Sequence, residues 1–398
     1  MIPYGKQWIS QEDIDAVVSV LNSDFLTQGP VVPRFEKAFA KKVSAEFAVS
    51  ANSATSALHI ACLALGVSKG DVVWTSPVSF VASSNCALYC NATVDFVDID
   101  PATYNMSVEV LEQKLHEAEI NGTLPKVVIP VHLAGQSCDM KAIHSLSVKY
   151  GFKIIEDASH ATGGRYDGQP VGSCKYSDIA VFSFHPVKII TSGEGGMAVT
   201  NSQQYMLSMA SLRSHGITRD PGLMTIEPDG AWFYQQLELG FNYRMTDIHA
   251  ALGLSQLERL DEFVKKRHEI AATYFEKLQE DGAVLPFQHA KNYSSFHLFI
   301  INFTDLNGPR GRNEVFNRLR ESGVNVNLHY IPIYRHPFYS AMGFDANSFP
   351  ESEAYYKRAV SVPIYPSMTS GEQEFVIDVI KSDTAKTFKS PSGYQDLF

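Results

Sequence analysis

Cysteine is scarce in this chain, with five among 398 residues: Cys62, Cys86, Cys90, Cys138 and Cys174. The number is odd and no two form a CxxC pair, so neither a disulfide framework nor a structural zinc site is expected. A reducing compartment, the cytoplasm, fits this usage best. The thirteen histidines include no HExxH pattern and no tight cluster with carboxylates, so no metal is expected either. No apolar run reaches the roughly 18 residues that span a bilayer. The opening residues Met1 to Trp8 lack the basic and apolar stretches of a secretory signal. An excess of positive charge is also missing. The formal net charge of -10 argues against nucleic acid as a partner, because phosphate neutralisation needs a basic surface. Anionic small molecules remain open through local cations such as Arg213 and Arg244.

What is present is the balance of a soluble globular enzyme, with 45% hydrophobic and 19% charged residues. The length suffices for one large domain and a smaller one, expected at 1–260 and 261–398. Ser10 is placed to cap a helix in which Ile14, Val17, Val18 and Leu21 recur at i, i+3, i+4 and i+7, with Asp13 completing a capping box. A βα rhythm follows. Residues 47–50, 72–75, 94–99, 127–132, 153–156 and 179–184 read as strands, and 55–65 and 140–150 read as intervening helices. Near-continuous apolar strands separated by helices predict an α/β fold with a mostly parallel sheet covered on both faces. Residues 245–278 read as one long helical segment. Strands at 296–303 and 324–331, with a helix at 313–321, predict a smaller α+β C-terminal domain. The polar tail after Lys381 is expected to pack loosely.

The chemistry is concentrated around two apolar runs. One ends in Glu156-Asp157-Ala158-Ser159-His160, and the other, Val181 to Phe184, leads to Lys188 and the turn Gly193-Glu194-Gly195-Gly196. Alone, Lys188 reads more readily as a solvated lysine and Asp157 as a turn aspartate. In this order they match a pyridoxal 5'-phosphate (PLP) site along the carboxyl ends of a parallel sheet. Such a site needs a lysine to hold the cofactor and to carry a proton, a carboxylate to keep the ring nitrogen protonated, and a phosphate anchor. Lys188 and Asp157 are the candidates for the first two. Ala54, Thr55 and Ser56 open a predicted helix and offer amides and hydroxyls to an anion, although an ordinary helix cap reads the same way. Ser183 is placed to add a hydroxyl. Phe80 follows a strand and is either a ring-stacking residue or a core residue. His160 is either a contact to the cofactor's 3′ oxygen or a structural histidine.

These residues, with Leu26-Thr27-Gln28-Gly29-Pro30, Asn52 to Leu58, Leu212-Arg213-Ser214-His215-Gly216 and Gly240 to Asp247, resemble the DegT/DnrJ/EryC1/StrS sugar-nucleotide aminotransferases, a branch of fold-type I PLP enzymes. The resemblance runs over essentially the whole chain. It implies PLP, with the PMP form appearing during turnover, and a homodimer in which Asn242 and Arg244 reach the partner's phosphate region. It also implies substrate contacts at Thr27, Gly29, His329 and Tyr330. Within the family, the segments around Trp74, Lys188 and Asn327 to Tyr334 look most like the pseudaminic acid pathway branch. That branch aminates C4 of a UDP-linked 4-keto-6-deoxy-N-acetylhexosamine of β-L-arabino configuration, usually from L-glutamate. The alternatives are another UDP- or dTDP-linked 4-keto sugar, such as the D-xylo ketone or the lipid A arabinose or perosamine precursor, and a non-catalytic regulatory protein of the same fold. The related sugar dehydratases carry histidine at the position of Lys188.

Overall fold

The structure, a computed structural model, describes residues 1–279, 283–303 and 311–388. Its centre is a seven-stranded sheet: β1 (Phe47–Ala51), β2 (Val72–Thr75), β3 (Thr93–Phe96), β4 (Val127–Ile129), β5 (Lys153–Asp157), β6 (Ile179–Ser183) and β7 (Gly196–Thr200), in the spatial order β1-β7-β6-β5-β4-β2-β3. The neighbours from β6 through β5, β4 and β2 to β3 are parallel, whereas β7 is antiparallel to both β6 and β1. All strands except β7 therefore share one direction. Every inward position of β6 and β7 is buried, as expected for strands covered on both faces. The expected turn at Gly195-Gly196 is shorter than anticipated, because Gly196 already begins β7. A Cβ there would lie 2.5 Å from the Ala54 amide nitrogen, so glycine lets β7 start directly against the next helix.

The helices are α1 (Gln11–Leu21), α2 (Val31–Val43), α3 (Ala54–Ala64), α4 (Ala82–Tyr89), α5 (Val108–Asn121), α6 (Met140–Tyr150), α7 (Gln203–Leu212), α8 (Asp247–Glu258), α9 (Leu260–Lys277), α10 (Gly311–Glu321), α11 (Pro350–Arg358) and α12 (Ser370–Phe388), besides shorter turns. The long helical segment expected at 245–278 is two helices that break at Arg259. The first turns of α9 pack Leu260, Phe263 and Val264 into the core under the large sheet. Its later turns place Ile270, Ala271 and Tyr274 in a separate core with β8 (Ala283–Val284), β9 (Phe299–Phe303) and β10 (Ala359–Val362). The strand expected at 324–331 does not form. Val324 and Asn327 make only isolated bridges, and Asn327 Oδ1 accepts the Leu328 amide at 2.8 Å, which ends the ladder. The tail after Lys381 continues α12 to Phe388, and the rest lies outside the described residues.

The capping box of α1 is present, but the helix does not bury its expected stripe. Ile14, Val18 and Leu21 are exposed, while Asp13 and Val20 are buried. The anchor is polar. Asp13 accepts from the Ser10 amide (2.9 Å), Ser255 Oγ (2.6 Å) and Gln256 Nε2 (2.6 Å), and it pairs with Arg259. A buried carboxylate with this many donors leaves several unmet groups when removed. Asp13→Ala is accordingly expected to lower the unfolding free energy by about 3 kcal/mol in urea titration.

Candidate active site

The common direction of β1, β2, β4, β5 and β6 brings their carboxyl ends to one edge of the sheet, where the loops carrying the candidate residues emerge. Asp157 ends β5 and pairs with Val181 of β6. The chain then runs two residues further to Ser183 and on to Lys188. Asp157 is buried and accepts Ser83 Oγ at 2.6 Å on Oδ2 and the Ser159 amide at 3.1 Å on Oδ1. Lys188 is half-buried. Burial pushes its ammonium down to about 8, against the opposing pull of the Asp157 carboxylate.

Across the edge stands the start of α3. Ser53 caps it by accepting the Ser56 amide at 3.1 Å, and Ser56 Oγ donates to Asn52 Oδ1 at 2.6 Å. Ser56 is thus held by its own chain. The amides of Ala54 and Thr55, in the first turn, have no acceptor within the helix. Two expectations about cations come apart here. Arg213 is committed to Glu36 and to the Ser50 carbonyl (2.8 Å), so it serves the frame around β1 rather than a ligand. Among the described residues, none offers a hydrogen-bond partner to the buried Arg244 Nε. The Asn242 carbonyl lies 3.5 Å from Asn52 Nδ2, and the Asn52 amide donates to the Tyr243 carbonyl at 2.8 Å, which fastens the Asn242–Arg244 stretch beside the α3 terminus of its own chain.

Phe80 is 59% exposed, so the core alternative for it is wrong, and its ring lies 6.2 Å from that of Tyr330. Tyr330 stacks on His160 at 5.9 Å. The Ala134 amide donates to His160 Nδ1 at 3.3 Å, which places the ring proton on Nε2, where it donates to Tyr330 Oη at 3.0 Å. Burial, helped by the charge of Lys188, holds His160 well below the usual histidine range and His329 down to about 3. Both imidazoles are neutral at physiological pH. His329 faces Ser361 Oγ (2.9 Å) and Asn327 Nδ2 (3.5 Å), so both its nitrogens are engaged within the chain and it backs Tyr330. Thr27 is exposed and bridges to Thr246, whereas the Gly29 amide is taken by Asp247 Oδ2 at 2.7 Å. A Cβ at Gly29 would also meet Phe25 at 2.5 Å, so that glycine is explained by packing.

Two residues escaped the sequence reading. His297 is buried with its ring 4.4 Å from His160 and, among the described residues, with no partner for Nδ1. Ser83 sits on α4, and its contact with Asp157 spans 74 positions, which no local pattern signals.

A buried carboxylate, a lysine of depressed pKa and a free helix N-terminus at one sheet edge fit the ring nitrogen, carbonyl carbon and phosphate of PLP. Such a sheet and site define a PLP-dependent aminotransferase. The chain belongs to the DegT/DnrJ/EryC1/StrS aminotransferase family, which matches residues 7–381. It is 36% identical over 396 residues to the UDP-4-amino-4,6-dideoxy-N-acetyl-beta-L-altrosamine transaminase of Campylobacter jejuni (strain 81-176), covering 99% of this chain and 100% of that protein. It is also 36% identical, with 96% of both chains covered, to the spore coat polysaccharide biosynthesis protein SpsC of Bacillus subtilis (strain 168). The PMP form of the putative sugar aminotransferase Spr1654 from Streptococcus pneumoniae superposes with a TM-score of 0.89 at 28% identity, covering 97% of this chain and 100% of that one. The protein is a sugar aminotransferase and its cofactor is PLP. No helix among the described residues is long and apolar enough to cross a membrane.

The depressed Lys188 amine has a direct test. Competitive acetylation of cofactor-free protein, read by peptide mass, is expected to show Lys188 reactivity rising with pH and levelling off above about 8. An ordinary lysine would still be gaining reactivity at about pH 10.

Proposed function

We propose that the enzyme aminates C4 of a UDP-linked 4-keto-6-deoxy-N-acetylhexosamine of β-L-arabino configuration, using L-glutamate, as a step toward pseudaminic acid. The observation that carries this substrate is the full-length similarity to the C. jejuni altrosamine transaminase. SpsC, equally identical, supports a second reading, another nucleotide-linked 4-keto sugar.

In this reading PLP, held by Lys188, supplies an electron sink for the carbon that gains or loses nitrogen. With the cofactor bound, Lys188 Nζ would carry the proton between the substrate carbon, Cα of glutamate in one half-reaction and C4 of the sugar in the other, and C4′ of the cofactor. Its depressed pKa keeps a useful fraction of free amine near neutrality. Asp157 holds the proton on the ring nitrogen. The Ala54 and Thr55 amides, with the Thr55 and Ser183 hydroxyls, would bind the phosphate while Ser56, tied to Asn52, holds the helix start in place, and Phe80 would cover one ring face and exclude water. His160, neutral and tied to Tyr330, orients groups near the 3′ oxygen without adding a charge. Tyr330 meets the sugar, with His329 as its support, and Thr27 and Gly29 shape the outer wall. We further assign a homodimer with shared sites, in which Asn242 and Arg244 serve the partner's phosphate. The domain division at residues 260/261 belongs to the same reading, with the smaller domain closing over the nucleotide sugar.

Borohydride reduction of the PLP-loaded protein followed by peptide mapping is expected to label Lys188, and Lys188→Ala to lose both label and turnover. Asp157→Asn should keep PLP bound but lower turnover by about two orders of magnitude or more, as expected for removal of a charge that acts in the transition state. For specificity, the L-arabino and D-xylo ketones compete in one reaction with glutamate. The expected outcome is a higher kcat/KM for the L-arabino ketone, and a preference for the D-xylo ketone or a dTDP sugar transfers the enzyme to the second reading.

A further inference from the structure

Behind Asp157 lies a short chain of hydroxyls. Ser83 Oγ is 2.6 Å from Asp157 Oδ2, and Ser79 Oγ is 2.8 Å from Ser83 Oγ. All three side chains are buried, with Ser83 wholly out of solvent. The direction of the chain follows from proton counting. An ionised carboxylate only accepts and each hydroxyl has one proton to give, so Ser83 donates to Asp157 and Ser79 donates to Ser83. Both serines flank Phe80. The Phe80 carbonyl lies 3.2 Å from Ser79 Oγ and 3.4 Å from Ser83 Oγ. Each serine has a single proton to give, and the short contacts of the chain outrank these longer ones. The other carboxylate oxygen is held by the Ser159 amide at 3.1 Å.

We propose that Ser79 and Ser83 form a one-way hydrogen-bond relay that aims the Asp157 carboxylate and couples it to the loop bearing Phe80. The inference rests on the reading of Asp157 as the partner of the cofactor's ring nitrogen. With one donor on each oxygen, the carboxylate plane cannot turn freely, and its remaining lone pairs keep one direction. Donation from Ser83 also stabilises the ionised carboxylate and lowers its affinity for a proton, so a shared proton stays on the ring nitrogen. Donation from Ser79 strengthens that effect through the intervening hydroxyl. Because Phe80 lies between the two serines, a shift of its loop is felt at Asp157. Ser83 and Ser79 are positioning residues, since neither is placed to touch the substrate.

The test uses holoenzyme loaded with PLP carrying nitrogen-15 in the ring, read by NMR beside steady-state kinetics. S83A is expected to move the ring-nitrogen signal from the pyridinium toward the neutral pyridine position and to lower kcat/KM roughly ten- to a hundredfold, the scale of a hydrogen bond to a charged group. S79A, which does not touch Asp157, should move the signal the same way by less, with a loss of about threefold. S83T keeps the hydroxyl and is expected to retain the wild-type signal. An unmoved signal in S83A, or S83T displaced as far as S83A, overturns the relay. D157N separates the two levels. If D157N abolishes turnover while S83A behaves as wild type, the relay alone fails. A near wild-type D157N removes the reading of Asp157 on which the relay rests.

Discussion

The pairing of β5 with β6, with Asp157 opposite Val181, is the constraint on which the rest of the site depends. Side chains alternate faces along a strand, so a slip of one residue between β5 and β6 would leave Asp157 and Ser183 on opposite faces of the sheet. The register is held by burial on both faces. Ile154, Ile155, Val181 and Phe182 are all buried, and the polar group at the end of β5 is admitted only because Ser83 and Ser159 satisfy it. Next to it, β7 runs against the others, which lets its first residue, Gly196, sit between β6, β1 and the start of α3. One glycine thus lets the start of α3 pack directly against β7.

The electrostatics follow from the same burial. Lys188 and the imidazoles of His160, His297 and His329 share one desolvated region, and each is shifted toward its neutral form. Desolvation disfavours every charge there, and the histidines feel the lysine as well. A pocket arranged in this way keeps a free amine available near neutral pH and spends hydrogen bonds, rather than net charge, on orientation. The negative charge that Lys188 feels comes from Asp157.

A second polar device stabilises the frame. Asp13 and Asp247, both fully buried, tie α1 and the Gly29–Val32 stretch to α8. They explain why the motifs near residue 27 and near residue 247 occur in one chain although they are far apart in sequence. The Asp247 carboxylate accepts the amides of Gly29, Val31 and Val32, which fixes the entry into α2. An amphipathic reading of α1 missed its anchor because hydrophobic periodicity carries no information about a buried carboxylate and its distant donors.

Much was decided by the sequence alone. In part of the first 200 residues local signals suffice: α6 begins and ends where the pattern of residues 140–150 placed it, whereas 127–132 forms a strand only to Ile129 and β7 is not among the expected strands. The order of Asp157 and Lys188 at the ends of successive apolar strands was enough to point to PLP, because a parallel sheet forces such ends to one edge. Tertiary structure alone decided which polar groups meet. Ser83 reaches Asp157, Arg213 turns to Glu36, Asp247 takes the Gly29 amide, and His329 backs Tyr330 instead of standing free. It also made β7 antiparallel and left 324–331 without a ladder. These outcomes depend on hydrogen-bond partners separated by tens to hundreds of positions, and no periodicity within a strand or helix encodes a contact of that kind.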